Sequence, residues 1–429
     1  MTQSAETSLP LYPFTRFSDD DLYAPPAGPD PDAAARRVKL PTGQTAWVFS
    51  KYEDVRRLLR DPAVSGDLTR PGFPMLATME IPEGMELPEG MELPEGVDLP
   101  GAPEQPAAED RVDSFMLMDE DQHTVFRRML TPEFLVKNVR ALEPLIRRTV
   151  VESLDDLRSA GRPADLVARF ALPVPSKVIC HQLGVPYEDH EFFESRSRVM
   201  LMPQTPIMEM HAAITDIALY LGELIERKAA GEARGDDMLT RLVDQWVKPG
   251  EVTTAAVRNA AMLLLLAGHE TTANQIALST MVLLEHPEEY AALREQPDRV
   301  SDTVDELLRY LTIIRSGLLR MATADVEIGG QLVREGEGVI ALLGAANRDG
   351  ATFAEPGAFR PQRGAHQHLA FGFGPRQCLG QTLAKLELSI ALSELATRFP
   401  DLRIVTPREK LVMKNQSLVY GVDELLVTW

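Results

Sequence analysis

Phe371-Gly-Phe-Gly-Pro-Arg-Gln-Cys378-Leu-Gly-Gln-Thr-Leu-Ala384 is the stretch on which the fold turns. A loop punctuated by Gly and Pro runs into Cys378. Leu379, Leu383, Leu386 and Ile390 then recur at helical spacing, so the cysteine stands at the mouth of a helix. Unsatisfied first-turn N–H groups and the helix dipole favour negative charge there, which suits a thiolate and a metal ligand. Gly372 and Gly374 are expected to let the backbone pass close to something flat, and Gly380 removes a side chain just past the sulfur. The bland alternative is a buried, inert cysteine. That reading fits Cys180, which sits among Val178, Ile179 and Leu183.

A second stretch lies about a hundred residues upstream. Thr253 and Thr254 offer an N-cap, and one helical pattern runs from there to about Glu285. Its middle, Ala260-Ala-Met-Leu-Leu-Leu-Leu-Ala267, is apolar all round and predicts a helix threading the core. Gly268-His-Glu-Thr-Thr272-Ala-Asn-Gln275 then breaks the pattern, and polar groups inside a buried helix are costly unless satisfied or used. Ala267 and Gly268 leave room for a planar ligand, whereas His269 lies on another face and reads as structural. Two weaker patterns accompany these stretches. His123 and Arg127 share one helix face, and Glu306 and Arg309 form an i, i+3 acid–base pair.

Phe-Gly-x-Gly-x-Arg-x-Cys-x-Gly resembles the haem-thiolate loop of the cytochrome P-450 monooxygenases, soluble bacterial type of secondary metabolism. The other motifs follow in that family's order over nearly the whole chain. The resemblance implies a mainly α fold with small β-sheets, haem lying between the long central helix and the Cys loop. It makes Cys378 the axial iron ligand and the cofactor heme b (iron-protoporphyrin IX), with O2 as co-substrate. His123, Arg127, Arg320 and Arg376 would hold the haem propionates, with Ala267, Gly268 and Phe371 against the ring. Ala-Gly-x-Glu-Thr-Thr resembles the family's acid–alcohol motif, which maps catalysis to Glu270 and Thr271. Splitting dioxygen needs protons, which a hydroxyl can hold in place and a carboxylate can relay. The alternative for Thr271 is a hydroxyl bonded back to its own helix. Glu306, Arg309 and Arg363 would form a buried salt-bridge network, although the family usually carries an acid at the Arg360 position.

The implied reaction is insertion of one oxygen atom from O2 into a hydrophobic substrate by hydroxylation or epoxidation, with a polyketide or macrolide as the expected class. Electrons would come from a ferredoxin and its reductase, docking near Arg127, Arg128, Arg140, Arg376 and Lys385. No nicotinamide fingerprint Gly-x-Gly-x-x-Gly follows a strand. Xenobiotic oxidation, an H2O2-driven peroxygenase and a non-catalytic haem protein stay open, with the intact Glu270–Thr271 pair speaking against the peroxygenase. Pocket lining is expected from Leu263, Leu264, Leu318 and Leu319.

Bulk properties agree with such an enzyme. The chain has 429 residues, 44% hydrophobic and 25% charged, and a formal net charge of −20. So acidic a chain disfavours nucleic acid and anionic membranes as partners. Two cysteines make a disulfide framework unexpected, and neither a signal peptide nor an apolar run of ~18 residues is present, so a cytoplasmic monomer without a membrane anchor is expected. A single domain over 1–429 is expected, carrying one insertion at 79–110. There Pro-Glu-Gly-Met/Val-Glu/Asp-Leu repeats from Pro82 to Leu99 with no basic residue, which predicts a mobile loop, either a neutral insertion or a substrate-facing lid.

Overall fold

The computed structural model describes residues 9–14, 22–26, 33, 35–68, 70–76, 120–202 and 205–429. The repeat at 79–110 lies outside the described residues.

β1 (Ala35–Lys39) and β2 (Thr45–Phe49), two short runs of alternating apolar residues, pair antiparallel around Pro41-Thr-Gly43. α1 (Tyr52–Arg60) buries Tyr52, Val55, Leu58 and Leu59, and β3 (Val64–Ser65) follows. Helices then dominate. They are α2 (Glu120–Leu130), α3 (Val136–Ala141) and α4 (Glu143–Ser159), then, after β4 (Ala164–Asp165), α5 (Pro173–Leu183), α6 (His190–Leu201), α7 (Ile207–Ala230) and α8 (Met238–Leu242). α9 (Thr254–Glu285), α10 (Pro287–Glu295) and α11 (Val300–Leu311) complete the bundle. The chain closes with β5 (Leu318–Ala322), β6 (Val326–Ile328), β7 (Gln331–Val333), β8 (Gly338–Ala341), α12 (Leu343–Ala346), α13 (Gln381–Arg398), β9 (Arg403–Ile404) and β10 (Leu426–Thr428). The largest sheet has the order β1-β2-β8-β5-β3; β4-β10-β9 and β6-β7 are separate small sheets. This is the expected mainly helical architecture with small sheets.

α9 starts where its cap predicts: the Thr253 hydroxyl accepts from the Ala256 N–H at 3.1 Å, worth about 1 kcal/mol at such a position. The helix is buried on every side through Leu265 and packs against α5, α7 and α13. Cys180, on α5, is 1% exposed and belongs to the same core. Met202, at the end of α6, and Met208, near the start of α7, are exposed. Trp47 is half-buried on the sheet, its indole N–H donating to Glu337 at 3.0 Å.

The acid–base pair on α11 is the pin of the later half. Arg309 is fully buried, grips both oxygens of Glu306 at 2.7 and 2.8 Å, and donates to the carbonyls of Asn347, Pro356 and Ala358. Arg363 adds its Nε to Glu306 at 3.2 Å. The acid expected at position 360 is unnecessary, because the Arg360 backbone N–H reaches Glu306 at 2.8 Å while its side chain pairs with Glu355. A buried pair so connected is costly to break, by about 3–5 kcal/mol. It fixes the irregular 347–363 segment that leads to the cysteine loop.

Candidate active site

The cysteine loop is closed by its own backbone: the Cys378 N–H donates to the Phe371 carbonyl at 2.9 Å. α13 begins at Gln381 without a side-chain cap on Gly380. Its first N–H groups, of Gly380 and Gln381, point instead at the Cys378 sulfur, so the cysteine caps the helix. The Arg127 guanidinium also acts on this sulfur and donates to the Gln377 carbonyl at 2.8 Å. These groups favour a thiolate as expected, yet Cys378, although its surface is exposed to the space beside the loop, lies deep in the fold, and that desolvation outweighs them and leaves the thiol pKa raised. Bound iron would reverse that balance, since a coordinating thiol gives up its proton.

Backbone conformation itself calls for glycine at Gly372 and Gly374. Both adopt positive φ, and a Cβ on Gly374 would lie 2.7 Å from the Leu59 carbonyl. The close approach is therefore to α1, and the glycine lets the loop seat on that helix. Phe371 is half-buried with its ring tilted against His368, and Arg56 of α1 covers Phe373 with centroid distance 4.5 Å.

Beside the loop the fold gathers the remaining predicted basic residues. His123, on α2, is 3% exposed, and the charges acting on it are three guanidiniums, those of Arg376, Arg127 and Arg320. Burial first, and those cations second, push its pKa down to about 4. Burial and Arg376 likewise depress Arg320 to about 10. Arg376 lies flat against Gly66, where an added Cβ would come within 3.2 Å of its guanidinium. Gathering like charges in a poorly hydrated place is unfavourable unless an anion joins them. Three guanidiniums and an imidazole beside a helix-capped sulfur fit a metal macrocycle bearing two carboxylates, which is the donor set haem requires.

The opposite wall comes from the polar break in α9. Ala267 is exposed although it lies midway along a helix buried on every side before it, which marks a cavity at that turn. Leu263 and Leu264, one turn earlier, are 9% and 8% exposed, so the open part of this wall is Ala267 and Thr271. Gly268 turns the other way: its missing Cβ would meet Ile179 of α5 at 3.0 Å, so this glycine is set by helix–helix contact more than by a ligand. His269 is structural as expected, 1% exposed with Nδ1 at 2.6 Å from the Leu265 carbonyl. The Thr271 hydroxyl donates back to the Ala267 carbonyl at 2.6 Å. Its oxygen keeps its acceptor capacity. Glu270 is 6% exposed, and Asn274 donates to its Oε2 at 3.1 Å.

One contact at this site has no precursor in the sequence pattern. Lys414 places its Nζ 3.5 Å from Glu270 Oε2. It belongs to the C-terminal hairpin, whose Met413 bridges Val422 and whose Gly421 leaves no room for a Cβ beside Asn274. The basic residues expected at a docking face fall into two groups. Arg127 and Arg376 face inward, and Lys385 is paired with Asp305 at 2.6 Å. Arg128, Lys137 and Arg140 stay exposed, together with Leu135 and Val136.

A cysteine capping one helix, opposite a long helix that opens at a small residue, defines a thiolate-ligated cofactor protein. Comparison with known proteins agrees. The Cytochrome P450 family profile matches residues 103–420. The vitamin D3 dihydroxylase of Streptomyces griseolus is 40% identical over 431 residues, covering 100% of this chain and 99% of that protein. Pentalenic acid synthase of Streptomyces avermitilis is 42% identical, covering 95% of each chain. Among solved structures, the mycinamicin VIII C21 methyl hydroxylase of Micromonospora griseorubida bound to mycinamicin VIII superposes with a TM-score of 0.86 at 38% identity, covering 98% of this chain and 100% of that one. The chain belongs to the cytochrome P450 family and is a haem-thiolate monooxygenase of the kind found in bacterial secondary metabolism. Among the described residues, no helix is long and apolar enough to cross a membrane.

Proposed function

We propose that the chain is one haem b monooxygenase domain. It inserts one oxygen atom of O2 into a hydrophobic secondary metabolite of polyketide or macrolide type, by hydroxylation or epoxidation. The observation that carries this reading is the joint placement of a helix-capping cysteine, four converging basic groups and an α9 face opened at Ala267 and Thr271.

Haem b supplies the iron at which O2 is activated, and a thiolate ligand favours O–O cleavage. Cys378 provides that ligand, held in direction by the first N–H groups of α13. His123, Arg127, Arg320 and Arg376 clamp two carboxylates and so fix the ring's orientation. The Thr271 proton is committed to the Ala267 carbonyl, so the oxygen serves as an acceptor that holds a water in the cavity. Glu270, buried beside it and reached from the C-terminal hairpin, passes protons inward.

Electrons arrive from a ferredoxin and its reductase at the face carrying Arg128, Lys137 and Arg140, a local positive patch on an acidic protein, flanked by exposed Leu135 and Val136. A pair of cysteines with Cys180 fully buried suits the cytoplasm, where such carriers reside.

Reconstitution with ferredoxin, reductase and NAD(P)H tests the reading, with mycinamicin VIII and vitamin D3 as first probes because relatives act on or bind them. The wild type is expected to form hydroxylated product only when the ferredoxin is present. Thr271→Ala is expected to keep consuming NAD(P)H while product per NAD(P)H falls severalfold. Full coupling in that variant would remove Thr271 from the proton path.

A further inference from the structure

The C-terminal hairpin reaches into the polar break of α9, and nothing in the sequence motifs assigns it a part in proton handling. We infer that Lys414 is the positioning residue for Glu270, drawing that carboxylate toward the hairpin while leaving it able to turn toward the cavity; the inference rests on the relay role proposed for Glu270.

Three observations converge on it. First, Lys414 and Asn274 approach the same carboxylate oxygen, Oε2, at 3.5 and 3.1 Å. Asn274 also donates to the Glu270 backbone carbonyl at 2.7 Å, so its amide is fixed to α9, and among the described residues Lys414 brings a second element to the acid. Second, the lysine's own position is determined by the hairpin. Its N–H bonds the Gly421 carbonyl at 2.9 Å, and Gly421 is pressed against Asn274. Tyr420 donates its N–H to Ile313 at 2.8 Å, and the Leu418 N–H reaches Leu201 at the end of α6 at 3.3 Å. The base is therefore held at a set distance by contacts on both sides of the cavity. Third, the pair spans the boundary between core and solvent, the Glu270 side chain being 7% exposed and that of Lys414 21%.

The physical consequence follows from the length of the contact. A tight ammonium–carboxylate bond measures about 2.7–2.9 Å and would lock the acid. At 3.5 Å the cation supplies charge stabilisation to a buried carboxylate while leaving it free to rotate toward the cavity. Without the lysine, Glu270 loses the one cation that reaches its carboxylate among the described residues, and nothing from the hairpin holds it from turning away. A relay that must alternate between solvent and cavity needs neither a locked nor an abandoned carboxylate.

Infrared difference spectroscopy of the holoenzyme reads this directly and without turnover. The Glu270 carboxylate stretch is identified as the band lost in Glu270→Gln. In Lys414→Met, and in Lys414→Gln as a second variant of different shape, that band is expected to shift in frequency. Lys414→Arg is expected to restore it. A Glu270 band unchanged in both neutral variants overturns the proposal. The relay role is judged separately: a fully coupled Glu270→Gln enzyme would remove that role from Glu270 and leave the infrared result intact.

Discussion

At Glu387, on α13, burial dominates the chemistry of a single residue. The side chain is 2% exposed, and its Oε2 has no hydrogen-bond partner among the described residues. Burial pushes its pKa from the ordinary 4.5 up to about 8. Below pH 4.5 the folded and unfolded chains both carry the proton, and the group costs nothing extra. As pH rises toward 8 the unfolded chain ionises while the folded one stays neutral, so stability drains away at up to about 1.4 kcal/mol per pH unit. Glu387→Gln removes that drain. Urea titrations of the holoprotein should show the variant's advantage growing from pH 4.5 to 8 and then levelling, on the order of a few kcal/mol; a pH-independent difference would contradict a neutral Glu387. Pairings were legible in sequence where a motif spans a few positions, as with Glu306 and Arg309. Lys414 was not, because a lysine 144 positions from its partner carries no local signal.

At the scale of elements, α9 shows what periodicity can and cannot say. An apolar run with a Thr cap predicts the helix to within a residue at each end, since cap and burial are local properties of the chain. What Gly268 touches is a property of α5. A Cβ there meets Ile179 Cγ1 at 3.0 Å and Cδ1 at 3.1 Å. Gly268→Val should therefore cost about 1–3 kcal/mol of stability. Ile179→Ala in the same chain should return part of that loss, as a double-mutant cycle by chemical denaturation would reveal. Strictly additive effects would mean that the α5–α9 contact is not what requires the glycine. Gly374 teaches the same point, since the carbonyl it avoids lies on α1, more than three hundred residues earlier.

At the scale of the molecule, the order of the motifs was enough to give the architecture, because the cysteine loop, the α11 pin and the long helix constrain one another through buried polar contacts. The placement of the basic residues was legible only in part. A count of basic residues does not reveal that Arg127 and Arg376 turn inward while Arg128, Lys137 and Arg140 stay exposed. Substrate identity is least legible, since it depends on how separate loops enclose one cavity, and an apolar lining specifies hydrophobicity more than shape.

The central claim, that Cys378 ligates haem iron through sulfur, is tested most directly by the visible spectrum of the reduced holoprotein under carbon monoxide, wild type beside Cys378→Ser. A strongly red-shifted Soret band in the wild type, lost in the variant, is the expected result. A wild-type band at the position usual for histidine-ligated haem would contradict the claim.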